Sequence, residues 1–154
     1  MLLSDDDFID KDYFIKRHQM PTPRVDFALG MDRLSRVVLN DISDGIANEA
    51  AEIAEASKVN IMLQKDMIPV SPSFTQFSIE LQDKWKYFGG EDFELLGTVN
   101  RNDWDIVKQA AKSTGVSVTN IGYVMYNSSS FGHVFLQDGN HKRPLQKDGY
   151  IHLK

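Results

Sequence analysis

The spacing of apolar residues in the first third of the chain predicts two helices followed by a strand. Tyr13, Phe14 and Arg17 recur at helical spacing over residues 10–20, with Asp10 as the expected cap. A further apolar face predicts a helix over residues 24–36. Residues 37–39 form a short apolar run, which predicts a buried strand.

The rest of the chain alternates between strand and helix patterns. Strands are predicted over residues 59–64, 93–99, 117–125, 133–136 and 141–145, and helices over residues 44–57, 74–87 and 102–114. A turn signal at Asp138-Gly139-Asn140 makes the last two strands a hairpin. No internal repeat or domain boundary is visible, so the pattern predicts one α+β domain with a mixed β-sheet and helices.

Composition narrows the class of protein. The chain has 154 residues, 42% hydrophobic and 25% charged, which is enough for a compact domain with a core. There is no cysteine, which excludes disulfides and thiolate zinc sites. The net charge of -5 argues against a nucleic-acid or anionic-membrane partner. With an acidic start instead of a signal peptide, and no apolar run of roughly 20 residues, we expect a cytoplasmic protein.

The first candidate site follows the predicted strand at 37–39, where Asp41, Ser43 and Asp44 precede a glycine and a helix pattern. Carboxylates at a strand-to-helix junction suit a magnesium ion with bound phosphate, because a helix start attracts anions and magnesium prefers oxygen ligands. The alternative is that Ser43 or Asp44 caps the helix while the other acid is solvated. Residue types alone favour the cap.

The second candidate site is the segment Gly89-Gly90-Glu91-Asp92-Phe93-Glu94. Paired glycines allow a close backbone approach, and Glu91 at the turn could bind a cationic or amine-bearing ligand. The alternative, a helix end followed by a solvated strand edge, is equally compatible with the residues.

A third possibility involves Arg17 and Arg24, on either side of the proline corner at 21–23. Two arginines held near each other could bind a phosphate through paired hydrogen bonds. A rigid corner with surface arginines is the favoured interpretation.

Taken together, these motifs resemble the C-terminal half of thiamine-monophosphate kinase. The resemblance rests on Asp41-Ile42-Ser43-Asp44-Gly45, on Gly89-Gly90-Glu91-Asp92-Phe93-Glu94-Leu95-Leu96 and on Gly149-Tyr150, in the family's order over residues 10–151. It implies the superfamily of aminoimidazole ribonucleotide synthetase, with a mixed sheet in three α/β/α layers. It also implies direct in-line transfer of the ATP γ-phosphoryl group to thiamine monophosphate, with magnesium bound.

The resemblance also implies roles for five residues. Asp41 and Asp44 match magnesium ligands, Ser43 matches an ATP contact, and Glu91 and Tyr150 match contacts to the thiamine substrate. No catalytic residue in the strict sense is carried over. The family's usual ending, Gly-Tyr-Asp-His-Phe, becomes Gly-Tyr-Ile-His-Leu here, so the tail departs from the pattern around Tyr150.

Family members have an additional N-terminal half that carries most of the ATP and metal ligands and forms a homodimer. We therefore expect residues 1–154 to be one domain of a two-domain kinase, inactive and without tightly bound metal when isolated. Two rival hypotheses remain: a stand-alone module that binds a small phosphorylated ligand without catalysis, and an interaction domain whose acids only cap helices.

Overall fold

The structure, a computed structural model, describes residues 7–145. Its helices are α1 Lys11–Gln19, α2 Val25–Leu29, α3 Ile46–Ala56, α4 Ile79–Phe88 and α5 Trp104–Thr114. Its strands are β1 Val37–Asp41, β2 Asn60–Gln64, β3 Leu95–Val99, β4 Gly122–Met125, β5 Val134–Asp138 and β6 His141–Pro144. Short 3-10 turns cover Lys65–Met67, Pro72–Gln76 and Arg101–Asp103.

The strands form two separate sheets. Strands β1 and β3 pair antiparallel as a ribbon, with Val37 opposite Val99 and Asp41 opposite Leu95. The other four strands form a mixed sheet in the order β4-β2-β5-β6, in which β2 and β5 are parallel. The predicted α+β class with a mixed sheet is confirmed. The predicted hairpin is also present as β5 and β6.

Two apolar cores lie on either side of the β1–β3 ribbon. The first core joins α3 to the mixed sheet and is built from small and branched residues of α3, such as Ala50 and Ile53. The second core joins α2 to α5 and includes Phe27. Because side chains alternate along a strand, Val38 packs against the first core and Leu39 against the second.

Several predicted boundaries shift for local reasons. The helix predicted over 24–36 ends at Leu29, since Gly30 is a poor helix former and the chain turns there. Asp10 does not cap α1, because its backbone is left-handed and its side chain forms no capping hydrogen bond. The helix predicted over 74–87 begins only at Ile79, where Ser78 caps α4 by accepting a hydrogen bond from Leu81 N.

Strands β3 and β4 are shorter than predicted. The strand predicted from residue 93 begins at Leu95, because Glu91 and Phe93 have φ angles of 63° and 54°, which an extended strand excludes. The strand predicted from residue 117 begins only at Gly122. Within the described residues, each helix is too short or too polar to cross a bilayer.

Candidate functional site

The two acidic motifs occupy neighbouring loops. The first loop, residues 41–45, joins β1 to α3, and the second loop, residues 89–94, joins α4 to β3. Since β1 and β3 are antiparallel partners, the end of β1 and the start of β3 lie at the same end of the ribbon. The two loops therefore begin side by side, although about 50 residues separate them in the sequence.

Backbone hydrogen bonds continue the ribbon into both loops. Ile42 N donates to Glu94 O at 2.8 Å, and Phe93 N donates to Ile42 O at 2.9 Å. Glu91 N then donates to Ser43 O at 2.7 Å. The backbone of Glu91, the predicted substrate contact, is thus directly bonded to that of Ser43, the predicted ATP contact.

Two glycines make this close approach possible. A Cβ atom on Gly90 would lie 2.7 Å from Ser43 O, which is closer than real Cβ contacts allow. Gly45 has φ +96°, and a Cβ there would lie 2.9 Å from the backbone of Phe88 at the end of α4. Both motif glycines are therefore required by contacts between the loops and their surroundings.

The helix-cap interpretation of the first loop fails in its predicted form. The residue at the N-terminal cap of α3 is Gly45, so neither Ser43 nor Asp44 occupies the capping position. The loop is instead held by Glu49, in the first turn of α3, whose Oε1 accepts hydrogen bonds from Asp44 N at 3.1 Å and Ser43 Oγ at 3.3 Å.

Glu49 is the main residue that sequence reasoning missed. A glutamate is expected at an exposed position, yet Glu49 is only 3% exposed. It lies three residues after Ile46 and four before Ile53, both of which are buried. That spacing is the signal that could have placed Glu49 on the inner face of the helix.

The structure brings most of the predicted site residues to one open groove. Ser43, Asp44 and Glu91 line this groove together. Asp41 is exposed at the end of β1, outside that lining. Tyr150 lies outside the described residues, so its predicted role stays a prediction.

The acids present suit a partial magnesium shell. The described residues contain no group of three or more histidine, cysteine, aspartate or glutamate side chains that could hold a metal by themselves. Magnesium typically takes one or two carboxylates and completes its shell with water and phosphate oxygens. Asp41 and Asp44, with Ser43 between them in the sequence, provide two carboxylates, which is the type and number of protein ligand that magnesium commonly takes.

The two arginines considered as phosphate ligands are engaged elsewhere. Arg24 forms a two-pronged contact with Glu94, with Nε–Oε2 at 2.9 Å and Nη2–Oε1 at 2.6 Å. Arg17 Nη2 donates to Glu94 Oε1 at 2.8 Å and to Asp92 Oδ1 at 3.2 Å. The arginines therefore tie α1 and the start of α2 to the second loop, which makes them structural in this conformation.

The pKa values of the two paired acids shift in opposite directions, because burial and the arginine contacts oppose each other and a different one prevails at each acid. Burial alone would raise the pKa of Glu94, but the hydrogen bonds and positive charges of Arg24 and Arg17 outweigh it, and the net shift is downward. The hydrogen bond to Glu94 in turn raises the pKa of Arg24. Partial burial raises the pKa of Asp92, because Arg17 offsets only part of that effect.

Glu91 differs from its two acidic neighbours because its carboxylate contacts a histidine and neither of the two arginines. Its side chain is 61% exposed, and its Oε2 lies 3.2 Å from His18 Nε2. A contact this exposed is easily exchanged for another partner. Glu91 is thus the acid of the second loop best placed to meet a ligand in the groove.

Comparisons with known proteins show which proteins the chain is similar to. No family model matches the chain. The chain is 40% identical over 146 residues to thiamine-monophosphate kinase of Bacillus subtilis. The aligned region covers 95% of this chain and 44% of the relative. The solved thiamine-monophosphate kinase of Stenotrophomonas maltophilia superposes with a TM-score of 0.72 at 25% identity, covering 82% of this chain and 40% of that one.

A further solved structure, AaThiL complexed with AMPPCP and TMP, shares the fold at 23% identity. It gives a TM-score of 0.67 and covers 92% of this chain and 43% of that one. The chain thus spans less than half the length of the relatives it matches. By sequence and by fold, it is homologous to the C-terminal part of thiamine-monophosphate kinases.

Proposed function

We propose that the chain is the C-terminal domain of an ATP-dependent kinase that phosphorylates thiamine monophosphate to thiamine diphosphate. The observation that carries this proposal is the hydrogen-bonded pairing of the first and second loops at one groove. The Bacillus subtilis relative is named for this activity, and AaThiL was solved with an ATP analogue and TMP. The proposal extends those properties to the present chain.

Each predicted site residue has a place in this function. Asp41 and Asp44 would hold magnesium, and Ser43 would contact ATP. Glu91 contacts the thiamine moiety, for which its exposed carboxylate is suited. Tyr150 packs against the same substrate in this proposal.

The reaction forms a bond between a terminal phosphate oxygen of thiamine monophosphate and the γ-phosphorus of ATP. The bond between that phosphorus and the β,γ-bridging oxygen breaks, and ADP leaves with the electron pair. Bound magnesium supplies neutralisation of the phosphate charges. The residues of this chain contribute positioning, because phosphoryl transfer needs alignment and electrostatic stabilisation more than it needs a protein nucleophile.

The proposal includes a second domain. Because the chain spans only 44% of the Bacillus subtilis relative, we infer that an N-terminal domain supplies further magnesium and ATP ligands. In this proposal the complete enzyme is a cytoplasmic homodimer that needs neither nucleic acid nor membrane. The isolated chain is inactive.

The test compares the 154-residue chain with the full gene product, incubated with thiamine monophosphate, ATP and magnesium while thiamine diphosphate is quantified. We expect product only from the full gene product. Asp41→Asn and Asp44→Asn should each lower turnover by about 10- to 100-fold or more. Asp32→Asn is the matched control, because Asp32 is an exposed acid between α2 and β1 that does not line the groove.

Two outcomes would overturn the proposal. A full gene product that forms no thiamine diphosphate contradicts the kinase assignment. An isolated chain that binds thiamine phosphates tightly in calorimetry, with no turnover in any form, favours the stand-alone binding module.

A further inference from the structure

A buried carboxylate without a cationic partner lies behind the first loop. Among the described residues, buried polar or charged side chains are limited to Glu49 and Asn60. Glutamate is rarely buried unless it is paired, because removing its charge from water is costly. The hydrogen-bond donors around Glu49 are neutral, and none of the ion pairs found in residues 7–145 involves it.

The carboxylate joins three points of the chain that flank Asp41. Oε2 accepts a hydrogen bond from the side-chain amide of Asn40, at the end of β1. Oε1 accepts from Ser43 Oγ at 3.3 Å and from Asp44 N at 3.1 Å. One side chain on α3 therefore fixes the loop both before and after Asp41.

These hydrogen bonds also determine how Ser43 can act. Its hydroxyl has one proton, and in this structure that proton is directed to Glu49, an acceptor at 3.3 Å. The lone pairs of Ser43 Oγ remain for other partners. In this arrangement the hydroxyl can accept from a donor or bind a cation, but it cannot also donate to a phosphate oxygen.

We propose that Glu49 is a positioning residue for the proposed kinase site, which orients Ser43 and Asp44 so that their oxygen atoms are presented to a divalent cation with its bound nucleotide. This inference rests on the proposed function. Carboxylates that orient metal ligands from behind commonly change metal affinity or activity by about 10- to 100-fold when they are altered. Glu49 acts through Ser43 and Asp44 and touches neither substrate.

The competing explanation is that Glu49 only stabilises the start of α3. A negative charge in the first turn favours the helix dipole, and the bond to Asp44 N satisfies a backbone donor there. Under that explanation, replacing Glu49 lowers stability and leaves the magnesium requirement unchanged. The two explanations therefore differ in a measurable quantity.

The test uses Glu49→Gln and Glu49→Ala in the full gene product. Glutamine has the same shape, and its Oε1 still accepts from Ser43 and Asp44, while Asn40 can turn its amide to accept from the new NH2 group. Alanine removes every one of these bonds. Glu52→Gln is the control, since Glu52 is an exposed acid on the same helix that also contacts Asn40, at 3.3 Å.

The first measurement is amide hydrogen exchange at Asp44 without metal, which is independent of turnover. We expect strong protection in the wild type and in Glu49→Gln. Exchange should be about tenfold faster in Glu49→Ala, because the hydrogen bond from Asp44 N is lost. The control Glu52→Gln should match the wild type. Unchanged exchange in Glu49→Ala would overturn the positioning role whatever the enzyme does.

The second measurement is the magnesium concentration for half-maximal turnover, together with kcat and the KM for ATP. We expect Glu49→Ala to raise the magnesium requirement about tenfold, whereas Glu49→Gln, which keeps the bonds to Ser43 and Asp44, should stay near the wild type. A lower melting temperature with an unchanged magnesium requirement would support the purely structural explanation and refute ours. If the wild type itself lacks activity, the proposed function fails, and the exchange experiment still decides whether Glu49 holds the loop.

Discussion

Substitution of Gly45 by alanine tests the contact that links the first loop to the end of α4. Gly45 has φ +96° and ψ 149°, a conformation that is almost restricted to glycine. Backbone strain of this kind costs about 1–3 kcal/mol. The added methyl group would also lie 2.9 Å from the backbone of Phe88, and overpacking of this sort costs about 1–3 kcal/mol more.

The two effects together predict that Gly45→Ala lowers the free energy of unfolding by roughly 2–6 kcal/mol. In a chain of this length, each 1 kcal/mol lowers the melting temperature by roughly 2–4 °C. Urea unfolding monitored by far-ultraviolet circular dichroism gives the free energy directly. The magnitude is large because the neighbouring atoms are backbone atoms, which cannot rotate away as a side chain can.

Gly115→Ala is the matched control. Gly115 ends α5 with φ +68°, but a Cβ there would meet nothing within 4 Å. Only the backbone effect remains, which is about 1–2 kcal/mol. Equal destabilisation by the two substitutions would refute the contact with Phe88 as a cause, and a loss below 1 kcal/mol for Gly45→Ala would refute the whole argument.

Two further predictions concern the cap of α4 and the paired acid of the second loop. Ser78→Ala should cost about 1 kcal/mol in urea unfolding, because the cap of α4 is lost, and Ser73→Ala should cost less; the reverse order would contradict the observed cap. Glu94→Gln should cost about 1.5–3 kcal/mol at neutral pH, since it weakens charged hydrogen bonds to Arg24 and Arg17. The pKa of Glu94 in the folded protein is lowered from its ordinary value of 4.5, so its charged form stabilises the folded state above pH 4.5. This contribution is lost as the pH falls through the folded pKa. The stability difference between wild type and Glu94→Gln should therefore shrink on acidification. A difference that stays constant from pH 7 to pH 3 would contradict this assignment.

The sequence predicted the elements well where a single local signal dominates. The hairpin at Asp138-Gly139-Asn140 and the end of the helix predicted over residues 102–114 both depend on turn chemistry within a few residues, and both are confirmed. Boundaries failed where long-range contacts decide. The strand was predicted to begin at Phe93, but this residue donates a backbone hydrogen bond to Ile42 in the first loop and has a positive φ angle.

The candidate site shows the same division. The acidic motifs were visible in the sequence, and their pairing across the ribbon is a property of the fold. The roles of Glu49 and Glu94 could not be derived from residue type, because each depends on partners in other elements. Glu49 contacts Asn40 on a strand, and Glu94 contacts Arg24, 70 residues away in sequence.

The ribbon between the two cores has a consequence for how this chain can change during evolution. Neighbouring residues of β1 serve different cores, with Val38 on one side and Leu39 on the other. Inserting or deleting one residue in β1 would turn every following side chain to the wrong core and would carry Asp41 to the opposite face. Length changes should therefore be rare in β1 across related sequences, whereas exposed loops such as residues 126–131 can tolerate them.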